Sequence, residues 1–143
     1  MKRFRFRLQR ILDIREQIRD ELRQELVRKN QVRDHELRVL AELEQESLRA
    51  MIREGGTYSA SELVMFGDYR LRLKLRIEEQ QGRVAVAMQE AEEAMARYVE
   101  ASKEAKALEM LRQKRKAEYD EQALKEEGAQ LDELAVQRAP RSS

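Results

Sequence analysis

From Ile77 onward, every seventh residue is Ile77, Val84, Ala91, Tyr98, Ala105, Arg112 and Tyr119, apolar or aromatic throughout except at Arg112. Three places further along lie Ala87, Ala94, Ala101 and Leu108. A double ladder sustained over this length belongs to a helix that buries one narrow seam against another helix. Alanine at so many seam positions lets two backbones approach closely. Composition agrees, since Ala, Glu, Lys, Leu and Arg make up 84 of the 143 residues. About half of a chain in these types, with helical periodicity, marks a coiled coil or long helix. The one proline, Pro140, stands beyond the ladder.

The pattern breaks once, at Glu54-Gly55-Gly56-Thr57-Tyr58. Each glycine disfavours helix by about 1 kcal/mol relative to alanine. Ser59-Ala60-Ser61-Glu62 follows, with the spacing of a capping box: the serine hydroxyl accepts from the Glu62 N–H, and the Glu62 carboxylate reaches back. A short link between two long helices predicts an antiparallel hairpin. The expected fold is therefore all-α, two long helices in an antiparallel coiled-coil hairpin. It would form a single rod over residues 1–143: helix one about 3–53, turn about 54–59, helix two about 60–138 and a flexible tail 139–143.

Helix one carries Phe4, Leu8, Ile11, Ile18, Leu22, Leu26, Leu37, Leu40, Leu48 and Met51 as its apolar stripe, weak between Leu26 and Leu37. Two segments alternate in the manner of a strand, residues 3–8 and 69–77, and both are expected to be helical. On a helix, Leu71 with Leu75 and Leu73 with Ile77 make two apolar stripes, more than one seam needs. A turn centred on the glycines sets Arg3 beside Met110 and leaves the end of helix two beyond helix one. Lys2, Arg3, Arg5, Arg7 and Arg10 then share one end with Arg112, Lys114, Arg115 and Lys116.

Over the whole chain, 29 basic side chains balance 28 acidic ones. A nucleic-acid binder usually has a one-sided basic excess, so none is expected as a partner. The chain has no cysteine, which fits a reducing compartment. Its basic start lacks the apolar stretch of a signal peptide, and its longest apolar run, Val84–Met88, is far too short to span a bilayer. A cytoplasmic location is expected.

The chain offers little for catalysis. His35 is the single histidine, and it is expected to be a solvated or half-buried helix residue. Gly55-Gly56 lacks the Lys-Ser or Lys-Thr of a phosphate-binding loop. Glu78-Glu79, Glu92-Glu93 and Glu126-Glu127 are adjacent pairs pointing about 100° apart on a helix, so they suit solvation better than a shared cation. No set of residues supports acid–base or nucleophilic chemistry. We expect no enzyme, catalytic residue, cofactor, metal or small-molecule substrate. The functional candidates are two surfaces, the basic terminal end with Phe4 and Phe6 interleaved, and the apolar surplus over 69–80.

The opening Phe4-Arg5-Phe6-Arg7-Leu8-Gln9-Arg10-Ile11-Leu12, with Glu16 and Glu21, resembles the FliJ family of flagellar export proteins. So do Leu108-Glu109-Met110-Leu111-Arg112-Gln113-Lys114-Arg115 and Leu131-Asp132-Glu133-Leu134-Ala135 near the end. Members of that family are two-helix coiled coils similar to the axle of rotary ATPases. The resemblance implies a non-catalytic stalk that inserts in the hexameric export ATPase and couples it to the export gate protein in the membrane. Export chaperones are further partners, and the location is the cytoplasmic face of the inner membrane at the flagellar base, reached only through partners. The family's gate-contacting stripe falls on Tyr69, Leu73, Arg76 and Gln80, with Arg76 where a small residue is usual and Gln80 where a histidine stands in others. The expected ring contact comprises Arg3, Phe4, Arg5, Phe6, Arg7, Lys114, Arg115 and Lys116. Two alternatives share the architecture: the equivalent stalk of a virulence-type secretion injectisome, and a coiled-coil adaptor with no ATPase partner. The Phe-Arg-Phe opening and Leu-Asp-Glu ending favour the flagellar branch.

Overall fold

The computed structural model describes residues 2–53 and 56–138, the side chains of Ile52 and Arg53 excepted. It contains two helices, α1 (Gln9–Arg53) and α2 (Ala60–Arg138), and no strand among the described residues. They form the antiparallel all-α hairpin that the heptads predict. Side chains pack into two compact units, one built from residues 2–19 and 100–138, the other from 20–99.

In the second unit the α2 seam is Leu73, Gln80, Val84, Ala87, Ala91 and Ala94, all buried. In the first it is Ala101 and Ala105, and on α1 Leu12 is buried. Six of these eight α2 positions belong to the two heptad lines read from the sequence. Of the expected helix-one stripe, however, Ile11, Leu37, Leu48 and Met51 are exposed. Along the second unit α1 turns Leu22, Leu26 and Leu40 of that stripe toward partial burial, joined by Lys29, Arg33, Glu36 and Leu43, which the stripe did not include. The weak stretch between Leu26 and Leu37 is therefore a place where the seam is polar. There Lys29 Nζ bonds Glu90 at 3.0 Å, and the Gln80 side-chain amide donates to the Glu36 carbonyl oxygen at 2.9 Å and to the Glu36 carboxylate.

Glu54, Gly55 and the expected tail 139–143 lie outside the described residues. The start of α2 behaves as half of a capping box. The Glu62 N–H donates to the Ser59 hydroxyl at 3.3 Å, but among the described residues the Glu62 carboxylate makes no return bond. Just before it, the Tyr58 ring meets Phe66 edge-on at 4.8 Å.

Helix one begins at Gln9, not near Arg3. Four arginines within residues 3–10 place positive charge at the positive end of the helix dipole, and Arg3 and Arg7 repel at i,i+4 spacing. No Ser, Thr, Asp or Asn in that stretch caps an earlier start. Burial in residues 3–8 alternates instead, with Arg3, Arg5 and Arg7 exposed and Phe4, Phe6 and Leu8 half-buried. Period two is the period of an extended chain, so the alternation visible in the sequence is real here. Over 69–77 the same alternation is overridden, and those residues lie within α2.

Candidate functional site

At the terminal end, Phe4 sits over α2 with its ring 5.5 Å from that of Tyr119. Two cations cover it, the Arg112 guanidinium at 5.8 Å and Lys116 Nζ at 5.7 Å from the ring centroid. Each contact of this kind contributes about 0.5–1 kcal/mol where exposed. The Arg112 Nε also donates to Gln9 Oε1 at 2.8 Å, and the Tyr119 hydroxyl donates to the Lys2 carbonyl. Thus Arg112, the one interruption of the heptad ladder, ties the first residues down. That interruption was the signal for it: the sequence sets Arg112 at the basic end, and the structure adds its contacts with Phe4 and Gln9. Arg3 was expected beside Met110, whereas Phe4 reaches Tyr119, well past that level. Part of the difference is geometric, because chain outside a helix rises more than 1.5 Å per residue and so reaches further.

A cleft of about 670 Å³ lies here, lined by residues 2–8 and by Leu111, Arg115 and Tyr119. Six of the eight expected ring-contacting residues therefore meet at one place: Arg3, Phe4, Arg5, Phe6, Arg7 and Arg115. Lys116 adjoins them through the Phe4 ring, whereas Lys114 is exposed and does not line the cleft. Arg115 is paired with Glu118 at 3.3 Å and Lys116 with Asp120 at 3.5 Å. Among the described residues, Lys2, Arg3, Arg5, Arg7 and Arg10 form no ion pair.

The second surface, early in α2, differs from its expected form. Leu73, at 1% exposure, is the largest fully buried side chain, and Gln80 is buried with its amide committed to Glu36. Both face α1 and are used by the seam, so neither is presented to a partner as expected. Tyr69 is exposed, its hydroxyl donating to Glu46. It lines a cleft of about 350 Å³ with Phe66, Glu42 and Arg49. Arg76 is also exposed. The apolar surplus anticipated here is real but lies two residues away, on Leu71 and Leu75, which are 57% and 56% exposed.

His35 is exposed on α1. Among the described residues no group of three or more side chains is placed to hold a metal ion, and no helix is long and apolar enough to cross a membrane.

No curated protein and no solved structure matches this chain. A protein-family comparison does, over residues 4–143, nearly the whole length and including both the Phe-Arg-Phe opening and the Leu-Asp-Glu ending. With a heptad-built helical hairpin as its fold, the chain belongs to the FliJ family, described as the flagellar FliJ protein.

Proposed function

We propose that this chain is the stalk of the flagellar export apparatus. Its terminal end stands in the ring of the hexameric export ATPase, and the early part of α2 contacts the cytoplasmic portion of the export gate. Export chaperones are further partners, and the chain is held at the cytoplasmic face of the inner membrane only by these contacts. It performs no chemistry of its own. The observation that carries this reading is the cluster of cations on residues 2–7, which form no ion pair among the described residues and line a cleft on α2, in a chain of this family.

At the ring, Arg3, Arg5 and Arg7 supply charge, Phe4 and Phe6 anchor the segment, and Arg115 with Lys116 extends the same surface. At the gate, Tyr69 and Arg76 make the contact, while Leu73 and Gln80 beneath them hold the helix that presents it. The test is copurification with the export ATPase. The triple change Arg3→Glu, Arg5→Glu and Arg7→Glu should abolish capture of the ATPase while helical content is retained. Undiminished capture would remove this end as the ring contact.

A further inference from the structure

Residues 3–7 alternate Arg-Phe-Arg-Phe-Arg, with the phenylalanines toward α2 and the arginines toward solvent. Residues 2–6 lie outside helix and turn, and Arg7 with Leu8 forms the turn into α1. Alternate residues of an extended segment stand about 6.6 Å apart on one side, which sets Arg3 and Arg5 side by side in a row, with Arg7 just beyond them at the turn. None of the three is paired with a carboxylate among the described residues. The backbone is equally uncommitted. The Lys2 carbonyl accepts from Tyr119 and the Phe6 carbonyl from the Gln9 N–H at 3.1 Å. The main-chain groups of Arg3, Phe4 and Arg5 have no partner among the described residues. Beside this segment opens the cleft of about 670 Å³, with Leu8, Leu111 and Tyr119 in its wall.

The geometry points to one occupant: an extended segment of a partner protein in which acidic and apolar residues alternate, laid alongside residues 3–6 as an added strand. Directly opposite residues of paired strands share a face, with their Cβ atoms about 5 Å apart. Acids opposite Arg3 and Arg5 point outward and pair with them, and Arg7 at the turn lies within reach of the same acidic edge. The apolar residues between those acids point inward, beside Phe4 and Phe6 and into the cleft. Main-chain hydrogen bonds supply affinity and the alternation supplies specificity, as in other cases of strand addition. This deepens the reading of the terminal end as a partner contact and rests on it, but it adds a requirement for alternation that charge attraction alone does not impose.

The test uses the full chain and fluorescein-labelled synthetic peptides followed by fluorescence anisotropy. The reference peptide repeats Glu-Val. A second has the same composition with its glutamates in one block, and a third is the alternating peptide N-methylated at every second amide. The alternating peptide should bind at least about tenfold more tightly than either control, a difference of about 1.4 kcal/mol. Arg5→Glu should remove most of that preference, whereas Arg10→Glu, outside the row, should leave it within about twofold, under 0.5 kcal/mol. Circular dichroism of both variants keeps a folding defect from being mistaken for a binding one. Equal binding of all three peptides overturns the proposal, because charge alone would then suffice. Tighter binding of anionic lipid vesicles or of an oligothymidylate than of the alternating peptide overturns it as well.

Capture of the export ATPase by the same variants separates this proposal from the ring reading. If the peptides show no preference while capture still depends on the three arginines, strand addition fails and the ring contact stands. If the preference holds while capture ignores the arginines, the ring contact fails and the strand-addition site stands.

Discussion

Leu71 and Leu73 are two places apart on one helix, identical in chemistry, and opposite in fate. Leu73 is sealed in the seam while Leu71 faces solvent. Truncating a buried leucine to alanine costs about 2–5 kcal/mol, and an exposed one usually less than about 0.5 kcal/mol. Leu73→Ala should therefore lower the urea midpoint followed by circular dichroism by far more than Leu71→Ala. Equal losses from the two would mean that α2 is rotated from its described orientation. The sequence showed two stripes here but not which was buried, because both fit helical spacing. What decides it is Gln80, which continues the Leu73 line and finds its hydrogen-bond partner on Glu36 across the seam. Gate binding is expected to respond to Tyr69 and Arg76, whereas Leu71 and Leu75 lie on the other side of the helix and should leave it unchanged.

At the scale of the elements, α2 was far more legible than α1. Its small, regularly spaced alanines announce a seam, and Ala87, Ala91, Ala94, Ala101 and Ala105 are all buried. Helix α1 hid its inward face because that face includes Lys29, Arg33 and Glu36, which a search for apolar residues discards. Such polar seam positions lower stability but fix register, since a slipped pairing leaves them without partners. Replacing Lys29, Glu36 and Gln80 together by leucine should accordingly raise the melting temperature. The same change should make the pairing promiscuous, visible as new oligomers in light scattering after chromatography. A more stable chain that remains a single species would show that these residues do not set register. The alanines act in the opposite sense. Ala94→Leu adds volume where 1% of the residue is exposed, and overpacking of this kind costs about 1–3 kcal/mol. The start of α1 at Gln9 has a separate cause: over residues 3–8 the charge and the lack of a cap oppose helix, and the alternation of Arg with Phe marks the non-helical segment.

Over the whole molecule, a net charge of +1 conceals segregation. Residues 2–10 carry five cations and no acid, whereas residues 120–138 carry Asp120, Glu121, Glu126, Glu127, Asp132 and Glu133 against Lys125 and Arg138. The forces that hold the fold and those proposed to recruit the partner are thus of different kinds. Burial of alanine and leucine in the seam is indifferent to moderate salt. The ion pairs across it, Arg15 with Glu104 at 2.8 Å and Arg97 with Glu25 at 3.2 Å, are exposed enough to contribute at most about 1 kcal/mol each. Exposed cations waiting for a partner's carboxylates are screened over a length that falls from about 10 Å at 0.1 M salt to about 3 Å at 1 M. Raising salt across this range should therefore weaken ATPase capture steeply while moving the melting temperature little. Deleting residues 2–8 tests the same separation without salt. Helix α2 lies wholly outside the deleted segment and α1 begins just after it, so helical content should remain. The losses are the packing of Phe4 on Tyr119, about 0.5–1.5 kcal/mol beyond its area term, the Arg112 and Lys116 contacts on the Phe4 ring, the Tyr119 bond to the Lys2 carbonyl and the partial burial of Phe6 and Leu8. What remains should capture no ATPase and show no further sensitivity to salt. A shortened chain that still binds the ring, or one that unfolds, would place the recruiting charge or the stability elsewhere than in this segment.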